Sequence, residues 1–395
     1  MTSIGPSFEN LYQAISLCNS DLATQKKYIE TALPTLRSEI QHGEIVVKLA
    51  FTQILKICIR NTIQNLGYNL YRMTEEDRRH LALQHQEPPI TSSIFGEALP
   101  RLQQLRERYA KVKLPIALHS VWGSRGRTQD SADIGWGTVD LRKFRSNSAY
   151  IFSYLRNDPF VSRLVYFIFA DAVRRKDPEG LMQRLDEDGS FGCQTCEYPG
   201  IGRVSRDLLD SVIELNFLHK HLGVLRRDDL RVLDIGAGYG RMAYRMLTAN
   251  PKLNGYTCVD AVPESTFLSE FYLKHRRLDQ KTRVVPLDEI EAHFNQKPHY
   301  DLALNIHSFS ECTYAAVEWW LAQIATLGIR YLMIVPNESE EFLATEADFS
   351  KRDFLPLLNK LGYRLVAKEA VFDDPAVREV MNVKDHMFLF ELNRT

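Results

Sequence analysis

At 395 residues, 45% of them apolar and 25% charged, the chain has the composition of a globular protein that buries a substantial core, which excludes general disorder and calls for more than one minimal domain. Lys and Arg number 49 against 50 Asp and Glu, a formal net charge of −1, so there is no electrostatic footprint for a polyanion and no nucleic-acid partner is expected.

The opening MTSIGPSFENLYQ has neither a basic n-region nor a continuous apolar h-region, so the expectation is a cytoplasmic protein with no secretory signal. From residue 22 to about 108 the pattern predicts mostly helix, with Ile45, Leu49 and Thr52 on one face, Phe51, Leu55 and Ile59 on another, and breaks at Gly43, Gly67 and Pro88-Pro89. Two apolar stretches, around residues 46–63 and 164–173, are interrupted or bounded by Lys48, Lys56, Arg60, Arg163 and Arg174; neither reaches the length of a membrane span. Residues 119–137 read as a Gly- and Ser-rich loop anchored by Trp122 and Trp136, and helical runs follow at 141–155 and 158–176. The connection DEDGSFGCQTCEYPGIG then holds the expected domain boundary, between a mainly helical region, 1–190, and a second region, 191–395.

Six cysteines, Cys18, Cys58, Cys193, Cys196, Cys258 and Cys312, have no disulfide framework spacing. Cys193 and Cys196 form one CxxC, followed by His219 and His221, but a zinc site on one CxxC needs two further well-spaced ligands, so ordinary thiols are expected.

After Gly202 the order changes to alternating helix and strand. Helices are expected over 205–221, 241–249, 264–275, 314–324 and 354–361, and strands over 231–235, 255–259, 282–287, 301–306 and 331–335. Two final strands, 363–372 and 386–392, have no helix expected between them. Such alternation predicts an α/β fold with a parallel sheet covered on both faces, and the last pair predicts an antiparallel edge.

The segment Asp234-Ile235-Gly236-Ala237-Gly238-Tyr239-Gly240 lies between an apolar strand and a helix. Glycines there let the chain turn sharply and let a ligand approach bare backbone. A dinucleotide fingerprint needs Gly or Ala where Arg241 stands, whereas GxGxG after an acidic strand-end residue suits S-adenosyl-L-methionine. At the end of the next strand Asp260, with Ala261 beside it, is placed to accept from both ribose hydroxyls; a strand-end turn is the alternative. Asp234 is expected to meet the cationic amino-acid portion of the cofactor, directly or through water. Asp288 either accepts from the adenine amino group or caps the following helix. The segment DLALNIHSFSEC brings Asn305, His307, Ser308, Ser310 and Glu311 to a strand's carboxyl end, where open α/β sheets bind ligands.

With those residues the chain resembles the sugar O-methyltransferase family of class I S-adenosylmethionine-dependent enzymes. The carrying segments are VSRDLLDS, VLDIGAGYGRMAYRML, VDAVPE with SEFYL, and NIHSFSEC; the likeness runs from Pro199 to about Asn337, with LRKFRSN a weak match upstream. Cys312 departs from the methionine expected after the glutamate. The resemblance implies a Rossmann-like methyltransferase sheet and transfer of a methyl group to a hydroxyl of a sugar or glycan precursor.

A sugar hydroxyl needs a general base or metal activation. His307 is the first candidate for that base and Glu311 the second, with a backbone-satisfied structural histidine and a helix-capping glutamate as their alternatives. A divalent metal stays open, because Glu311, Asp288 and Asp260 form no recognisable metal motif. Asn337 and Glu338 point to the same edge, and the helical N-terminal region is expected to close over the site and read the acceptor. Two other readings remain open: a small-molecule natural-product acceptor, and a non-catalytic cofactor-binding protein of the same fold.

Overall fold

The computed structural model describes residues 92–117, 141–146, 159–198, 200–337, 340–381 and 383–393. The expectations for residues 22–91, for the loop at 119–137 with Trp122 and Trp136, for Cys18 and Cys58, and for Glu338 lie outside the described residues. By internal contacts Gln86–Ser153, Ala170–Val371 and Lys384–Thr395 form one unit, and Met1–His85, Tyr154–Phe169 and Phe372–Val383 another. Within the latter, Phe169 and Phe372 meet edge to face with centroids 5.3 Å apart.

The elements in chain order begin with helices α1 (Ser92–Tyr109), α2 (Pro159–Arg175) and α3 (Leu181–Arg184). The expected connection contains a small antiparallel hairpin, β1 (Cys196–Tyr198) and β2 (Gly202–Val204). Helix α4 (Arg206–Leu222) starts where the Ser205 hydroxyl accepts the Leu208 N–H at 3.0 Å, and stops at Gly223, whose left-handed backbone (φ 68°) lets its N–H reach His219 O. The alternating series follows: β3 (Arg231–Ile235), α5 (Arg241–Ala249), β4 (Gly255–Val259), α6 (Pro263–His275), β5 (Thr282–Val285), α7 (Ile290–Asn295), β6 (Leu302–Ile306), α8 (Ser308–Glu311), α9 (Tyr314–Thr326) and β7 (Tyr331–Val335). A hairpin of β8 (Leu343–Thr345) and β9 (Lys351–Asp353), then α10 (Leu355–Lys360), β10 (Tyr363–Ala370), α11 (Pro375–Met381) and β11 (His386–Leu392) complete it.

Seven strands form one sheet in the order β10-β11-β7-β6-β3-β4-β5. The pairs β7·β6, β6·β3, β3·β4 and β4·β5 are parallel, and β11 runs antiparallel to both its neighbours. This is the mostly parallel α/β sheet expected from the alternation, with the antiparallel strand one place in from the edge. Its central strands are apolar runs because both faces are covered: Leu233 and Ala303 are 0% exposed and pack with Trp320, Leu321 and Phe390 in one core that also takes in Leu105 and Tyr109 of α1. Each such fully buried large side chain contributes roughly 1.5–3 kcal/mol.

Four expectations are corrected. The strand expected over 282–287 stops at Val285 because Pro286 has no N–H to donate, and Leu287–Glu289 forms a 3-10 turn. The described part of the run expected at 141–155 is a turn ending in the 3-10 helix Phe144–Ser146. The connection at the expected boundary is partly strand, as above. Finally, α11 stands between the last two strands: Pro375 begins it and Asp374 Oδ1 accepts the Val377 N–H at 3.4 Å, a start signal followed by too short a run to register as helical periodicity.

Candidate active site

The register aligns Ile235 with Val259, Val259 with Val285 and Ile306 with Val335, so the loops after β3, β4, β5, β6 and β7 leave from one edge of the sheet. Beyond Ile235 the chain turns through Gly236, Gly238 and Gly240 with φ of 79°, 59° and 84°. The N–H groups of Gly236 and Ala237 donate to Val259 O at 2.9 and 3.2 Å, which pins the loop to the end of β4. A Cβ on Gly236 would lie 2.2 Å from Ser308 Oγ, and one on Gly240 would lie 2.9 Å from Ser269 Oγ, so these two glycines are needed by the protein's own packing.

Gly238 acts differently, through its N–H, which donates to Asp260 Oδ2 at 3.0 Å. Asp260 Oδ1 accepts the Val262 N–H at 2.9 Å, and Ala261 lies half-buried in the turn between them. The Asp260 carboxylate therefore joins the glycine loop to its own strand-end turn, keeping lone pairs on both oxygens for further donors. Burial raises its pKa to about 7 against the pull of these two N–H groups. Asp234, 3% exposed, accepts from Tyr256 Oη at 2.7 Å. Burial raises it to about 7 too, with Tyr256 and then Arg241 opposing. A buried carboxyl held near neutrality in this way gains from a cationic partner.

Asn305 is 0% exposed and braces the next loop: Nδ2 donates to Ile235 O at 3.0 Å and to Ser308 Oγ at 2.6 Å, and Oδ1 accepts the Phe309 N–H at 2.9 Å. His307 sits between β6 and α8 with φ 68° and ψ −33°, a left-handed backbone that non-glycine residues rarely adopt. Its N–H donates to Val335 O at 2.7 Å, and its half-exposed ring places Nε2 3.7 Å from Asp385 Oδ2. Buried Glu214 of α4 also faces this corner: burial raises its pKa, offset by Arg241, whose Nη1 lies 2.7 Å from Glu214 Oε2, and more weakly by His307. Glu311 Oε1 accepts from Asn337 Nδ2 at 3.1 Å, and its charge acts on Asp260. Glu311 is thus held by Asn337, while the His307 ring turns toward Asp385.

Asp288 is exposed in the 3-10 turn that follows β5 and accepts from Arg108 Nε of α1 at 2.7 Å; the N-cap of the following helix α7 is Glu289, with no side-chain cap. Among the described residues no group of three or more His, Cys, Asp or Glu is arranged to hold a metal. Cys193 Sγ lies 3.9 Å from Glu187, burial pushes its thiol up, and His219 and His221 pair with Glu179 and Glu369.

Sequence reasoning missed Tyr256, Asp385, Arg108, Tyr109 and a buried ion cluster below the glycine loop. In that cluster Arg145 and Arg245 share Glu187 and Asp207, with Arg245 Nη2 2.6 Å and Arg145 Nη2 2.9 Å from Glu187 Oε2, all four side chains at most 1% exposed. Tyr239 of the glycine segment donates to Asp207. Burial alone would raise Asp207; the guanidiniums of Arg145 and Arg245, with Tyr239, hold it well below the usual carboxylate range. Removing one member would leave a buried charge uncompensated, a loss of about 3–5 kcal/mol. Tyr256 pairs in register with Val232 and reaches Asp234 diagonally, two positions further along β3, a contact that shows only once β3 and β4 are aligned; the others come from segments far apart in the chain and carry no local signal.

No family model matches the sequence, and no curated protein matches it. Among solved structures, the chain is similar to the StiE O-MT domain, residues 961–1257, at 15% identity over 47% of this chain and 76% of that one, with a TM-score of 0.36. It is similar to TrmK of M. capricolum in complex with S-adenosyl-homocysteine, at 12% identity over 46% of this chain and 68% of that one, TM-score 0.30. A third such structure is the precorrin-6y C5,15-methyltransferase of Geobacter metallireducens GS-15, at 15% identity over 44% of this chain and 85% of that one, TM-score 0.30.

Proposed function

We propose that this protein is an S-adenosylmethionine-dependent O-methyltransferase whose acceptor is a hydroxyl of a sugar or glycan precursor. One observation carries the reading: the glycine loop that ties its Gly238 N–H to the strand-end Asp260 opens on the same sheet edge as His307, which is held in a left-handed backbone beside Asp385. The loop and its acids fit the cofactor by their chemistry. Gly236, Ala237, Gly238 and Gly240 present bare backbone, half-buried Asp260 has lone pairs for the ribose hydroxyls, and Asp234 suits the cationic amino-acid end. Asp288 and Asn305 complete the set, the first toward adenine and the second by bracing the loop. When bound, the cofactor supplies a methyl group activated by a sulfonium.

The protein's own part is to hold an acceptor oxygen in line and take its proton. His307 does so through its half-exposed imidazole, with Asp385 3.7 Å away to orient the ring and stabilise the positive charge the ring acquires. Glu311, held by Asn337, is the second candidate for this role. The side chains gathered here, His307, Asp385, Glu311, Asn337 and the Arg241–Glu214 pair, are polar, which supports a hydroxyl-rich acceptor over an aromatic one.

The test offers the purified chain S-adenosylmethionine with a panel of glycans and, separately, of phenolic metabolites, and measures S-adenosylhomocysteine. Turnover confined to glycans is the expected result. Turnover on phenols alone would move the acceptor class, and tight cofactor binding without product from either panel would favour a protein that keeps the fold without the reaction.

A further inference from the structure

The last ladder pair between β4 and β5 is Val259 with Val285, so beyond it the two strand ends that carry Asp260 and Asp288 are no longer joined by the sheet. The gap is spanned by the last residue of α1. Tyr109, 7% exposed, accepts the Leu287 N–H on its hydroxyl at 2.9 Å. The same oxygen lies 2.7 Å from Thr266 Oγ1 and 3.4 Å from Asp260 O. Its neighbour Arg108 donates through Nε to Asp288 Oδ2 at 2.7 Å and reaches Glu289 as well. Helix α1 is itself fastened along α6 by Arg101 with Glu270 at 2.6 Å and Arg106 with Glu264 at 2.7 Å, so the end of α1 has a fixed place above the strand ends.

We propose that Tyr109 and Arg108 are positioning residues for the adenosine end of the cofactor site: the Tyr109 hydroxyl sets the separation between the ribose-facing Asp260 and the adenine-facing Asp288, and Arg108 aims the Asp288 carboxylate. This rests on the cofactor reading above. The phenol suits this role because one oxygen can accept from a backbone N–H and donate to a hydroxyl or carbonyl at once, which a phenylalanine ring cannot do. Arg108 leaves one Asp288 oxygen for an adenine amino group, so the guanidinium and the base are compatible partners of one carboxylate. The consequence is selectivity. A carboxylate aimed at the base accepts from the amino group of adenine and repels the carbonyl oxygen of hypoxanthine in the same place.

The experiment measures calorimetric affinity of the full chain for S-adenosylhomocysteine and S-inosylhomocysteine, in the wild type and in the variants Tyr109→Phe and Arg108→Gln. The wild type should prefer the adenosyl ligand. Tyr109→Phe should lose about tenfold in affinity for it while changing little for the inosyl ligand, so that the preference collapses. Arg108→Gln should shift the preference in the same direction by less, and its part-exposed side chain makes it the deciding variant should Tyr109→Phe not fold. A purely structural role would weaken both ligands alike. That result, an unchanged preference in the folded variants, or a wild type that binds both ligands equally, would overturn the proposal alone. A wild type that binds neither overturns the cofactor reading and this proposal with it.

Discussion

At the ends of β3 and β4 the polar groups are held by backbone donors a few residues away: Asp260 takes the N–H groups of Gly238 and Val262, and the glycine loop gives two N–H groups to Val259 O. At the ends of β6 and β7 the groups that matter are side chains delivered from separate elements: His307 from after β6, Asp385 from before β11, Asn337 from after β7 and Glu214 from α4. The first region is a backbone cradle whose shape follows from glycine placement. The second is a meeting of side chains whose partners could change without altering the loop that carries them. A cofactor common to many reactions suits the first kind of construction, and an acceptor particular to one reaction suits the second.

The comparison breaks most visibly at His307. On the proposed function, in which the imidazole takes the acceptor's proton, His307→Ala should lower turnover roughly 10²–10⁴-fold while leaving affinity for S-adenosylhomocysteine nearly intact. Asp385→Asn should fall between that variant and the wild type. Turnover and cofactor affinity measured on the same preparation decide it: a joint fall in both would make His307 part of the cradle, and near-normal turnover would pass the proton to Glu311. On the cradle side the expected effect is smaller and of the opposite kind. Asp260→Ala should weaken cofactor binding by about 1–3 kcal/mol in calorimetry, the scale of charged hydrogen bonds to two hydroxyls, together with a loosened glycine loop. A negligible change would leave Asp260 as a turn residue only.

The smallest effect is one of pH. Asp234 and Asp260 are each raised by burial to about 7, so between about pH 4, where an unfolded carboxyl ionises, and about pH 7 the folded protein holds protons that the unfolded chain has released. A raised carboxyl pKa makes stability fall as pH rises through that window and level off above it. A cationic group on Asp234 removes its share of the penalty, so the gap in melting temperature between free and cofactor-loaded protein should widen from about pH 5 to about pH 8, and Asp234→Asn should flatten the trend. A gap of constant width would take Asp234 out of the cradle.

The same contrast explains what could be read before folding. Strand β3 and helix α5 matched their expected limits because a buried parallel strand is a continuous apolar run and the glycines after it mark the turn. The sharp turn through Gly236, Gly238 and Gly240 and the place of Asp260 just past β4 were legible for the same reason: the signals that set them are local. Asn305 was expected near the end of the strand that became β6, and lies there, but its full burial and its grip on Ile235 O and Phe309 N–H depend on how β6 sits against β3, which no spacing reveals. Asp385 could not be matched to His307 without knowing that β11 inserts beside β7. Tyr109 and Arg108 were hidden because α1 lies on the far side of the expected boundary near residue 190 yet shares a core with the sheet. The cluster of Arg145, Arg245, Glu187 and Asp207 was hidden because each member alone reads as an ordinary surface charge.

The positive φ at His307 ties a cost in stability to the presence of its imidazole. A non-glycine residue at this positive φ is strained by about 1–3 kcal/mol, and glycine would recover part of it. On the proposed function, a descendant released from methyl transfer has nothing to gain by keeping the imidazole and something to gain by losing it. Such descendants should drift toward glycine at this position and grow more heat-resistant as they fall silent.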